Sequence, residues 1–232
     1  VRFGVKMLHK WNKILSDEDI DINKLKHLCK QAACSFIDNA FYNKYYEKEY
    51  IDLLCDISLC EKDDQATIVA SNSLFWIIEK LCDDYQDFQF DIYSKVMTQI
   101  ISKCRLHYKG EALNKNLNDK NIFNSFDLSN QAHEAHFKIY KFEQNNTARK
   151  IFILSRITLG ADVAITSVIM QHMENKFPES EIVIIGPLKL KEIFEGKSNI
   201  KIRSLNYYKH EGLIGKINKW IEAADIIEEE SA

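Results

Sequence analysis

Neither glycine nor proline occurs between Gly4 and Gly110. Folds rich in strands and tight turns depend on those two residues, so a stretch of this length without them must change direction on other chemistry. Short polar side chains that cap helices supply it. Apolar residues recur at spacings of three and four over 2–15, 22–38, 40–60, 65–84 and 90–107. Ile92, Val96, Met97, Ile100, Ile101 and Cys104 illustrate the pattern. Breaks fall at Ser16 to Asp19, at Asp63-Asp64 and at Asp83 to Asp87. Five helices with short connections predict an all-helical bundle over 1–110. No self-similarity at thirty to fifty residues occurs, which argues against a solenoid.

Composition narrows the partners. The 232 residues are 46% hydrophobic and 28% charged, enough apolar material for one or two cores. The formal charge is −3, with 15 basic against 17 acidic residues up to Gly110 and 16 against 17 afterwards. Neither half is a polycation, so no nucleic-acid partner is expected. No apolar run reaches the ~20 residues of a spanning helix, and no signal-peptide pattern opens the chain, so a cytoplasmic protein is expected. The chain opens on Val1 and closes on an acidic stretch, and is read as a piece of something longer. All six cysteines lie in the first half without a CxxC pair. They read as small buried hydrophobes, with a disulfide or metal role as the alternative. Phe41, Tyr42, Tyr45, Tyr46 and Tyr50 form either a partner surface or core and rim packing.

Residues 111–148 shift toward Asn, Asp, Ser and Lys and read as a surface linker between domains. Within them His133 and His136 stand three apart, a solvated pair in preference to a metal site, since HExxH requires a spacing of four. The stretch Phe137 to Phe142 reads as a short strand or a helix start. After Arg149 the period changes to strand, helix, strand. Lys150 to Ser155 is a buried strand, and Asp162 to Lys176 a helix with Ile165, Val168, Ile169 and Met173 on its inner face. A second strand spans Glu181 to Gly186. Helix Leu188 to Glu195, strand Asn199 to Leu205 and a helix from Gly212 to Ile227 follow. This alternation predicts a parallel sheet with right-handed crossovers over 149–232.

The turn Arg156 to Asp162 leaves the sheet at the carboxyl end of the first strand, where ligands bind in open parallel sheets. Gly160 permits close backbone approach, and the helix start presents free amides to an anion. GxGxxG and the P-loop pattern are both absent, so neither of those nucleotide sites is expected. Asp162 admits two readings. As a cap it stabilises the helix by ~1 kcal/mol. As a base it takes the proton of a substrate hydroxyl while that oxygen attacks an electrophilic carbon.

Leu159-Gly160, Asp162-Val163, Thr166-Ser167, Phe177-Pro178 and Gly186-Pro187, in this order over about 149–220, resemble the amino-terminal half of the heptosyltransferase-like glycosyltransferases. The resemblance implies the GT-B fold, with 149–232 as a partial Rossmann-like domain. It implies an inverting bacterial transferase moving a sugar from a nucleotide-sugar donor to a glycan or lipopolysaccharide-type acceptor. The position matching the family's general base is Asp162, and Arg156, Thr158 and Gly160 match the acceptor side. No metal or other cofactor is implied. A glycolipid acceptor implies a peripheral place at the inner membrane. The family pattern has glycine and aspartate adjacent, whereas Ala161 separates them here, and Ser167 stands where proline is usual. The family's donor contacts come mainly from a second domain that these 232 residues do not include, so they alone are expected to give no turnover. The competing expectation is a non-catalytic binding or scaffold protein, with a degenerate transferase-like domain and a helical bundle that carries a protein interaction.

Overall fold

The computed structural model describes residues 11–13, 21–60, 63–83, 86–138, 148–155, 162–194, 196, 199–206 and 211–231. The fold is mostly helical with a small three-stranded parallel sheet. It divides into two compact units: 1–138 with 210–217, and 139–209 with 218–232.

The first unit contains α1 (Ile22–Tyr42), α2 (Lys48–Ser58), α3 (Asp64–Leu81), α4 (Asp87–Leu106), α5 (Glu111–Asp119) and α6 (Ser125–Phe137). The helix expected at 2–15 lies outside the described residues apart from 11–13. Polar caps set the boundaries. Asp21 Oδ1 accepts the amide protons of Asn23 and Lys24 at 3.0 and 3.1 Å, and Asp63 Oδ1 that of Ala66 at 2.9 Å. Each cap contributes about 1 kcal/mol. Where α1 ends, Lys44 takes a left-handed φ of 53°, and Tyr45 N–H donates to the Asn39 carbonyl. The chain makes this turn without glycine, at a cost of roughly 1–2 kcal/mol.

Phe36, Tyr50, Leu54, Leu74, Ile77 and Ile100 are fully buried in this unit. The tyrosine-rich stretch does not act as one face. Tyr50 is core and Tyr46 sets its ring edge-on to Phe36 at 5.5 Å, while Tyr42 and Tyr45 are exposed. All six cysteines are free thiols, and only Cys29, Cys55 and Cys104 are buried. Burial pushes the thiols of Cys29 and Cys104 up to about 12, so they stay protonated at neutral pH.

The stretch expected as a linker over 111–148 is helical through Phe137, and the helical unit runs to Lys138. Its polar residues act as helix ends. Asn121, at φ 60°, closes α5 with Ile122 N–H donating to the Leu117 carbonyl, the αL cap that glycine usually provides. Asn124 and Asp127 form a reciprocal capping box on α6. Arg105 on α4 fixes this corner with hydrogen bonds to Asn114, Asn118 and the Ile122 carbonyl, at 2.7 to 3.0 Å. Of the stretch Phe137 to Phe142, Phe137 ends α6, and 139–142 lie outside the described residues.

The second unit is built on β1 (Lys150–Leu154), β2 (Glu181–Gly186) and β3 (Ile200–Ser204), parallel and in the order β1-β2-β3. Lys150 pairs with Glu181, and Ile182 with Ile200. On one face Ile182 and Ile184 pack with Met170 of α7 (Ser167–Lys176) and with Leu190 and Phe194 of α8 (Leu190–Phe194). On the other, Val183 and Ile185 pack with Ala223, Ile226 and Ile227 of α9 (Leu213–Ser231). β2 is therefore buried on both faces, as its unbroken apolar sequence requires.

The inner face expected for the helix after β1 needs correction. Ile165, Val168 and Ile169 are exposed, whereas Thr166 and Met170 are buried and Met173 packs against the sheet cluster. The inward positions Thr166, Met170 and Met173 follow at helical spacings of four and three, and a π-helical turn over Asp162–Thr166 leads into them.

The face under α9 also carries charge. Glu230, near the end of α9 and 4% exposed at its side chain, bonds Lys201 at 2.7 Å and also bonds Arg203. Lys150 lies 3.4 Å from the same carboxylate and donates to the Glu230 carbonyl. Hydrogen bonds from Lys201, Arg203 and Lys150 hold the Glu230 carboxyl at about 2, down from an ordinary 4.5.

Two predictions follow from these contacts. A Cβ at Gly110 would lie 1.9 Å from the Cys104 carbonyl oxygen. Gly110→Ala should therefore lower stability in urea by about 2 kcal/mol or more, and an unchanged midpoint would contradict the close approach. A depressed carboxyl stabilises the fold fully above its unfolded value and loses that contribution as pH falls through its folded value. Unfolding midpoints should drop between pH 4.5 and about 2, and Glu230→Gln should flatten that part of the profile.

Candidate functional site at the carboxyl ends of the strands

Parallel pairing brings the carboxyl ends of β1 and β2 to the same edge of the sheet, where ligands bind in open parallel sheets. β1 continues one residue beyond its assigned end: Ser155 N–H donates to the Ile185 carbonyl at 2.9 Å. Gly186 lies opposite. A Cβ there would sit 2.4 Å from Ser155 Cβ and 2.8 Å from its Oγ, so any side chain would push the two strand ends apart. The Gly186 carbonyl accepts from Leu205 N–H at 2.8 Å, which ties β3 to the same level. Ser155, Gly186 and Leu205 thus form a fixed rim.

Arg156, Thr158 and Gly160 lie outside the described residues. Asp162 opens the π-helical turn that leads into α7. Such turns insert one residue beyond the α-helical count and recur at functional sites. Thr166, at the end of the turn, is buried. After β2, Pro187 begins a turn whose carbonyl accepts from Leu190 N–H at 3.0 Å, starting α8. Pro178 and Glu179 turn at the opposite end of the sheet, between α7 and β2.

Sequence reasoning quoted Gly186 as part of a strand ending in glycine and proline, but it did not foresee that Ser155 sets the requirement. The signal was a small polar residue ending one strand and a glycine ending its neighbour, which becomes meaningful only once the register is known. The histidines of α6 do not converge. His136 stacks on Phe90 with ring centres 3.5 Å apart, while His133 faces Phe137 at 4.4 Å. Among the described residues no group of three or more His, Cys, Asp or Glu side chains could hold a metal ion. Among them, too, no helix is long and apolar enough to cross a membrane.

No protein-family model, curated protein or solved structure matches this chain. The rim makes a local prediction of its own. Gly186→Ala should weaken protection of the Ser155 amide in hydrogen exchange, with the β2 amides that pair to β3 less affected. Equal loss across the whole sheet would show a global fault instead.

Proposed function

We propose that the sheet unit is the acceptor-side part of a bacterial sugar transferase similar to the heptosyltransferases, with a Rossmann-like topology. The observation that supports this reading is the ordered set of residues from Leu159-Gly160 through Asp162 to Gly186-Pro187 in the sequence, together with the parallel pairing of β1 and β2. Ala161 separates the glycine and the aspartate that stand adjacent in the family pattern, and the described chain resumes at Asp162 with a π-helical turn.

In this reading Asp162 is the base. Its carboxylate takes the proton from an acceptor hydroxyl as that oxygen bonds to the anomeric carbon of the donor sugar. The bond from that carbon to the nucleoside diphosphate breaks on the opposite side, the diphosphate leaves with the electron pair, and the configuration inverts. The partial positive charge at the helix start favours the ionised carboxylate. Arg156, Thr158 and Gly160 would contact the acceptor, a glycan or lipopolysaccharide-type molecule. The nucleotide sugar would be held largely by a second domain, and no metal or other cofactor takes part. The protein would work in the cytoplasm, peripherally at the inner membrane.

In the full-length gene product, Asp162→Ala should lower sugar transfer by roughly 10²–10⁴-fold, the range of a lost general base. Retained transfer in a folded Asp162→Ala protein would remove it from that role. The exposed rings of Tyr42 and Tyr45 favour a second reading, a scaffold whose helical unit binds a protein. Calorimetric titration of the full-length gene product with nucleotide sugars separates the two, since a scaffold gives no heat of binding.

A further inference from the structure

A cleft of about 600 Å³ opens on the helical unit between the start of α2, the middle of α4 and the start of α6. That volume falls within the roughly 300–1,000 Å³ of small-molecule sites. Its floor is fixed by hydrogen bonds. Tyr46 O–H donates to Gln99 Oε1 at 2.5 Å, and Gln99 Nε2 donates to the Lys48 carbonyl at 2.9 Å. Tyr46 is anchored in turn by its edge-on contact with the buried Phe36. The Gln99 amide is therefore held at both ends, yet it keeps one N–H and one lone pair for a ligand. Beside it Lys103 is held by Asp56 at 2.9 Å and Asp52 at 3.4 Å. The ammonium can offer a third proton, and Asp52 can still accept with its second oxygen.

The walls continue this pattern of mixed donors and acceptors. Thr98, Ser102, Ser125 and Ser129 line the cleft, and the ring of Tyr45 stands at its rim, 60% exposed. Lys48, Lys95 and Lys103 line the cleft with Glu49 and Asp52, and Asp56, outside the lining, pairs with Lys103. A polyanion entering here would meet the carboxylates of Asp52 and Glu49, and an apolar ligand would cover Gln99, Thr98 and the serine hydroxyls without replacing their hydrogen bonds to water. A neutral ligand carrying many hydroxyls satisfies both constraints, since each hydroxyl both donates and accepts. An aromatic ring beside such groups suits a molecule with apolar C–H faces and a polar edge.

We propose that this cleft binds a neutral saccharide chain, held by Gln99, Asp52 and Lys103 and covered on one side by Tyr45. This site uses residues and a unit separate from those of the transferase reading, and its test needs neither donor nor turnover.

The test is amide chemical-shift mapping of the 232-residue protein titrated with neutral hexose and N-acetylhexosamine oligosaccharides, and separately with inorganic pyrophosphate. At least one oligosaccharide should give saturable shifts confined to 45–52, 95–106 and 125–129, and pyrophosphate should give none there. Gln99→Leu should weaken binding by about tenfold or more, the effect of losing paired hydrogen bonds. Tyr45→Ala, an exposed position at which loss of the fold is not expected, should weaken it as well. The proposal is overturned if no oligosaccharide in the panel moves these amides, if pyrophosphate moves them instead, or if both variants bind undiminished.

Discussion

The burial of β2 on both faces governs the sheet unit. Ile182, Val183, Ile184 and Ile185 are each at most 1% exposed, so α7 and α8 must cover one face and α9 the other. Beside the apolar packing of Val183 and Ile185 on α9, the same face carries charge, where Lys150, Lys201 and Arg203 converge on Glu230. At the carboxyl end Ser155 and Gly186 are brought into contact, and this close approach fixes the rim there.

A different constraint shapes the helical unit. Without glycine or proline over a hundred residues, its corners are made by Asp21, Asp63, Gln86 and a left-handed Lys44. The first glycine after Gly4 occurs where no side chain fits, at Gly110 beneath the Cys104 carbonyl. From that corner Arg105 reaches across to hold α5 and its cap, and this makes 111–137 part of the packed unit.

This contrast explains how much could be read from the chain. Helices α1 to α4 and the order of strands were legible, because apolar spacing and caps are local signals. The helices at 111–137 were not, because Asn121, Asn124 and Asp127 carry the composition of a loop while serving as helix ends. The inner face of α7 was misjudged because Ile165, Val168 and Ile169 make an apolar set at helical spacing that is nonetheless exposed, while Met170 and Met173 pack on the sheet. Clusters joined by distant residues were beyond reach. Tyr46 and Gln99 are 53 positions apart, and Lys150 and Glu230 are 80 apart, with no motif linking either pair. At the candidate site, Asp162 and Gly186 could be named from sequence, and the role of Ser155 depended on register.

Each unit carries a proposal of its own: the transferase reading for the sheet unit and the saccharide cleft for the helical unit. The central claim is that the sheet unit belongs to an inverting sugar transferase. Its most direct test is the anomeric configuration of the transferred sugar, read by proton NMR on product made by the full-length gene product from a nucleotide sugar of known configuration. The account predicts a product of opposite configuration to the donor. Retention of configuration, or hydrolysis of the donor without transfer to any glycan, would contradict it.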